Sequence, residues 1–179
     1  MLTLFSLLLL PYFRILPTLA SPRAFRLISS VSFAYAREYV KELLTPVIEF
    51  MVESPGVSYE INPVFIAERE NMGENRSALR SLVNNIVTRI IGSASNVPEP
   101  LLLMWHILAT ETSKKTPDIA QTQETLNRFI FGRFWGPAIA CPQAYGICEG
   151  RLPPSVNRGL VLASKILQVR APVSCEHIL

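Results

Sequence analysis

The sequence lacks any run of lysine or arginine, is poor in histidine and contains few charges of either sign. Charged residues make up 17% of the 179-residue chain against roughly 25% in an ordinary soluble domain, while 49% of it is hydrophobic. A disordered chain is therefore excluded, since such chains are apolar-poor and heavily charged. The net charge of +3 is spread along the chain and gives no support for nucleic-acid binding. Cys141, Cys148 and Cys175 are an odd number in a chain long enough to build a real core, which argues against a disulfide scaffold and for a reducing compartment. Their spacing matches no zinc site, so all three read as free thiols and no metal is expected. Phosphate-loop, nucleophile-elbow and HExxH motifs are all missing. His106 follows Trp105 in an apolar stretch and reads as an interior or boundary histidine, and His177 has no visible partner. Nothing here forms a self-sufficient hydrolase site.

Met1 to Phe13 is uncharged and mostly apolar, but it falls short of the about 20 apolar residues a bilayer span requires. Arg14, Arg23 and Arg26 precede the first acidic residue, Glu38. Three readings stay open: a signal-peptide core with a weak cleavage site at Thr18-Leu19-Ala20, an arginine-bearing transit segment, or an apolar helix of a larger domain opened by an early chain start.

Beyond this segment the periodicity is helical. Val40, Leu43, Leu44, Val47, Ile48 and Met51 share one helix face, with Pro46 expected to bend the helix and Ser54-Pro55-Gly56 to end it. Glu38, Glu42 and Glu49 fall on its solvated side. An extended connection is expected over Val57 to Ile66, because Asn62-Pro63 disfavours a helix. Leu79, Leu82, Val83, Ile86, Val87, Ile90 and Ile91 form a second stripe, closed by Gly92 at the position just past the helix. A third helix is predicted from about Pro100 to Ala109, with Trp105 and Leu108 inward, followed by a polar turn over Thr112 to Pro117. A fourth runs from Ile119 to Phe134, broken by Pro137 and Pro142; a loop then spans Gly136 to Asn157, and Val156 to Val169 is the last periodic segment. With no alternating run and no repeat, the fold class is all-α, an irregular helical array.

One stretch is unusual for a helical protein: Phe129-Ile130-Phe131-Gly132-Arg133-Phe134-Trp135-Gly136-Pro137-Ala138. A lone arginine among aromatics must satisfy five donors, either on nearby backbone carbonyls or by capping its own helix C-terminus.

This stretch resembles the Phe-Leu-Arg…Pro-Ala signature of Ras GTPase-activating protein domains, the neurofibromin-like branch especially. Phe131, Arg133, Pro137 and Ala138 match it, and Ala144-Tyr145-Gly146-Ile147 and Arg158-Gly159-Leu160 through Lys165-Ile166-Leu167-Gln168 follow in the family's order. Upstream, Tyr35 to Pro46, Ser58-Tyr59-Glu60-Ile61-Asn62-Pro63 and Glu74-Asn75-Arg76 are similar to the family's corresponding segments. The resemblance covers residues 35–168. It leaves 1–34 as an uncertain apolar segment, a finger loop or a targeting-like stretch, and 169–179 as an unmatched tail, so the domain is expected to be truncated at both ends.

The resemblance implies an irregular all-α array that holds no cofactor. A Ras-like or Rap-like small GTPase would supply GTP and Mg²⁺, and this chain, no enzyme itself, would supply an arginine in trans that stabilises the transferring phosphoryl group. It implies a cytoplasmic protein, peripheral at the inner membrane face through that partner, with no transmembrane span and no nucleic acid. By the same likeness Arg133 is the secondary arginine that bonds carbonyls of the finger loop. Lys165 lines the groove for the GTPase, with Arg158 two turns earlier on the same face and Leu160 and Leu167 turned inward. The candidate finger is Arg14 in Tyr12-Phe13-Arg14, followed by Leu19-Ala20-Ser21 after a short insertion containing Ile15, Leu16 and Pro17. Gly132 stands where the signature has Leu, removing part of the binding surface and weakening the helix by about 1 kcal/mol relative to Ala. The alternatives are a non-catalytic module of this fold that binds a Ras-like GTPase or another partner, and a targeted helical protein whose matched core no longer serves a GTPase.

Overall fold

The computed structural model describes residues 22–68, 70–115 and 118–170 of the chain, and within them the architecture is all-helical with no strand. Helix α1 (Pro22–Val52) begins well before the apolar stripe that signals it. Proline suits a helix's first turn, where its missing N–H is not needed, whereas Pro46 inside the helix removes a ladder bond. The face predicted from periodicity is buried: Val40, Leu44, Val47, Ile48 and Met51, joined by Ala36 and Tyr39, with Leu43 at the margin. Glu38, Glu42 and Glu49 are exposed as expected. The Ser54 hydroxyl donates to the Phe50 carbonyl at 2.8 Å, and Gly56 at φ +97° turns the chain away.

Helix α2 (Met72–Gly92) starts at Asn71, whose side chain accepts the Gly73 N–H at 2.8 Å. It buries Leu79, Leu82 and Ile86, with Val83, Val87 and Ile90 half-buried. Two expectations are corrected. Ile91 is 61% exposed, so the stripe stops at Ile90, and Gly92 is the last helical residue rather than a left-handed cap. Ser93 caps instead: its N–H reaches the Arg89 carbonyl and its hydroxyl donates to the Ile90 carbonyl while bonding the Tyr39 hydroxyl at 2.8 Å. A serine that satisfies the helix end and a buried tyrosine together does the work predicted for glycine.

After a 3₁₀ turn (Ala94–Asn96), helix α3 (Glu99–Lys115) runs past the predicted end at Ala109. Thr112, predicted in a turn, is buried in the helix and bonds the Leu108 carbonyl at 2.7 Å, extending the stripe of Leu101, Met104 and Leu108. His106 is exposed on the opposite side, against the boundary reading, and Trp105 is half-buried. Helix α4 (Ile119–Ile130) is capped by Asp118 and packs on α3.

The predicted fourth helix does not run unbroken to Phe134. It passes into a π turn (Phe131–Trp135) and then a short helix α5 (Gly136–Ala140). Pro137 does not break it, because it falls in the first turn of α5 where no donor is required; the break comes at Cys141 and Pro142. The loop over 141–153 contains Gly146 and Gly150 at positive φ, and the Thr45 hydroxyl reaches the Ile147 carbonyl to tie it to α1. Helix α6 (Pro154–Arg170) buries Val156, Leu160, Leu162, Ala163, Ser164 and Leu167 between α5 with the π turn on one side and α2 with α1 on the other. Gly159 makes the crossing tight, since a Cβ there would lie 2.7 Å from the Tyr59 ring and 2.9 Å from the Met51 methyl.

Candidate functional site

The signature stretch sits where α4 passes into α5. Its extra residue shows in the Gly136 N–H, which bonds the Phe131 carbonyl five residues back instead of four. Leu126, Phe129 and Ile130 form the half-buried edge of α4. Arg133 follows Leu126 by seven positions and Phe129 by four, so an unbroken α-helix would carry it onto that edge. The π turn instead turns Phe134 and Trp135 into the core and leaves Arg133 exposed. Phe134 and Trp135 meet edge-on at 4.9 Å between ring centres, Trp105 stands against Phe134 at 5.8 Å, and Tyr39 against Trp135 at 5.9 Å. Such aromatic pairs add about 0.5–1.5 kcal/mol each beyond the area they bury, so the base of the turn is rigid. The Trp105 Nε1 is buried without a partner among the described residues.

Helix α6 closes the site from below. The buried Ser164 hydroxyl donates to the Gly136 carbonyl at 2.9 Å and accepts from the Gln168 amide at 3.0 Å. Gly136 permits this approach, because a Cβ there would collide with the Gln168 amide and the Phe131 carbonyl. One residue beyond Ser164, Lys165 is exposed, and Leu160 and Leu167 are buried beneath it as the helical phase requires.

Arg158 has a firm partner. Its Nε donates to Glu60 Oε2 at 2.6 Å and its Nη2 to Glu60 Oε1 at 3.0 Å, across 98 residues of sequence. The Glu60 side chain, 11% exposed, also accepts the N–H groups of Ile61 and Asn62 at 3.0 and 2.8 Å. Its backbone carbonyl takes the Asn75 amide, which also donates to Ser58 and Glu70. The Arg158 hydrogen bonds hold the Glu60 carboxyl below the ordinary carboxylate range, more than offsetting the upward push of burial, and Glu60 raises the Arg158 guanidinium in turn. Bidentate geometry of this kind orients both partners.

The family profile described as GTPase-activator protein for Ras-like GTPase matches residues 66–171. This chain belongs to that family. Ras GTPase-activating protein 3 of Mus musculus is 31% identical over 137 residues, which is 76% of this chain and 16% of the relative. Ras GTPase-activating protein 2 of Mus musculus is 30% identical over 139 residues, 77% and 16%, and a GTPase-activating protein of Drosophila melanogaster is 29% identical over 131 residues, 73% and 11%. The chain thus spans about a sixth of the length of the mouse relatives it matches.

Within this Ras GTPase-activating protein domain, the residues singled out from sequence divide by location. Phe131, half-buried, and Ala138, fully buried, anchor the signature, and Pro137 is half-buried at the start of α5. Arg133 is exposed beside them and Gly132 half-buried, and a Cβ at Gly132 would meet nothing within 4 Å. Lys165 and Arg158 share the outward side of α6, but Arg158 is engaged by Glu60 rather than free in a groove. Arg14, Cys175 and His177 lie outside the described residues. Cys141 is exposed and Cys148 half-buried, both as free thiols, and burial raises the Cys148 pKa. Sequence reasoning missed Gly136, Ser164 and the Glu60 network. The signals were faint: one acidic residue in an otherwise neutral extended segment, and a serine inside an apolar stripe. Among the described residues no helix is long and apolar enough to cross a membrane, and no cluster of potential metal ligands forms.

Proposed function

We propose that this domain stimulates GTP hydrolysis by a Ras-like small GTPase, acting on the partner's chemistry rather than performing its own. The observation that carries this reading is the exposed Arg133, projected from an aromatic-bedded turn inside a segment that matches the family signature. In the proposed division of parts the GTPase holds GTP and Mg²⁺. This chain contributes positive charge: an arginine to the γ-phosphoryl group, and Lys165 toward an acidic docking surface. Arg133 serves as the support of the finger loop, and Arg14 is the finger we assign. The ordered motifs resembling the neurofibromin-like branch support a Ras-type target, with a Rap-type protein as the nearest competitor. Work beside such a partner places the chain in the cytoplasm, reaching the inner membrane face through the GTPase.

Single-turnover phosphate release from GTP-loaded Ras-like and Rap-like proteins tests this. Catalytic amounts of the chain should accelerate release, and Arg14→Ala should remove about 10³-fold or more of that rate, the range arginine fingers of Ras-type activators supply. Release at the intrinsic rate would refute it. The competing reading is a fold that binds without activating, favoured by the open space left at Gly132; it predicts GTP-dependent association with no acceleration.

A further inference from the structure

We infer that Ser164 is a positioning residue for Arg133, acting through the Gly136 carbonyl to hold the π turn in register. This rests on the proposed role of Arg133 but adds a residue and a device to it.

A π turn is less stable than the α-helix it interrupts, so something outside the helix must favour it. Here the ladder shifts by one residue between Phe131 and Gly136, and the Ser164 side chain bonds this segment's backbone from another helix. Its hydroxyl is buried, its one proton goes to the Gly136 carbonyl, and Gln168 donates to its oxygen. That chain of bonds fixes which rotamer the serine adopts and which carbonyl it holds. Gly136 carries no Cβ, which lets α6 approach closely enough for the bond to form. The register matters for Arg133 because an unbroken α-helix would carry its side chain over the edge formed by Leu126, Phe129 and Ile130. The buried rings of Phe134 and Trp135 anchor the turn, and the Ser164 bond adds a directional contact to one named carbonyl. Ser164 is itself buried, so it acts only through the placement of Arg133.

Three variants of the full chain test this: Ser164→Ala, Ser164→Thr and the pair Ser164→Ala with Arg133→Ala. In stimulated hydrolysis, Ser164→Ala should lower the maximal rate by about 10- to 100-fold, the scale of a small misplacement, with half-saturation by the GTPase nearly unchanged. Ser164→Thr keeps the hydroxyl and should recover most of the rate. In the Arg133→Ala background Ser164→Ala should have no further effect, because the group it positions is gone. Equal loss in both backgrounds means a purely structural serine and overturns the proposal. Hydrogen exchange provides a readout without any GTPase: Ser164→Ala should lower protection of the amides from Phe131 to Gly136 while leaving α1 and α2 protected. Unchanged protection there overturns the clamp. If the unsubstituted chain accelerates no GTPase, the proposed function falls, and the exchange result alone decides whether Ser164 holds the turn.

Discussion

Removing the Arg158 guanidinium should destabilise the domain more than neutralising its partner, and the asymmetry follows from exposure. The Glu60 side chain is 11% exposed and the Arg158 side chain 37%. In Arg158→Ala the carboxylate keeps the Ile61 and Asn62 amides but loses the bonds at 2.6 and 3.0 Å. A hydrogen bond to a charged group is worth about 1.5–3 kcal/mol, and because Arg158 is partly hydrated already, the pair together should contribute about 2–3 kcal/mol. For a chain of this size that lowers the melting temperature by about 5–10 °C. In Glu60→Gln the amide oxygen still accepts and the guanidinium turns to water, so the loss should be about 1 kcal/mol. Thermal unfolding followed by circular dichroism at neutral pH measures both. A shift under about 2 °C for Arg158→Ala, or a larger one for Glu60→Gln, would refute the reasoning. Arg158→Lys should fall between them, since an ammonium cannot reproduce the two-pronged contact.

The pH dependence of the same pair has a definite sign. Because the folded carboxyl of Glu60 titrates below its unfolded value, its contribution is fully present above the ordinary carboxylate range and is lost as pH falls through the folded value. Denaturant titrations from neutral pH down to about pH 3 should therefore show the advantage of wild type over Glu60→Gln shrinking, and an advantage that grows on acidification contradicts this. Gly132→Ala fills open space at a helical position and should raise stability by about 0.5–1 kcal/mol, seen as a higher urea midpoint at constant slope. Gly159→Ala should lower it by about 1–3 kcal/mol, because its methyl must displace the Tyr59 ring or the Met51 methyl; an unchanged midpoint would show that α6 shifts freely.

Much of this domain was legible because apolar spacing reports burial directly. The stripes of α1, α2 and α6 could be read from residues such as Leu44, Ile86 and Leu160, and each is buried. Boundaries were less legible, since short polar residues support several local structures. Thr112 bonds its own helix and extends α3, and Ser93 closes α2 where glycine was expected. The π turn could not be read, since it depends on contacts with α6 that no local pattern encodes: Ser164 lies 28 residues after Gly136. The same limit hid the Arg158 partner. Helical phase placed Arg158 beside Lys165, but only the long-range packing of the Glu60 segment reveals that its charge is already engaged.

The proposed activity is stabilisation of charge developing on a phosphoryl group held by another protein. The most direct measurement is association with a GDP-loaded Ras-like GTPase in the presence and absence of aluminium fluoride, which mimics the transferring phosphoryl group. A stable complex should form with fluoride, be weak or absent with GDP alone, and be lost on Arg14→Ala. Equal binding in both conditions, or none in either, would contradict it.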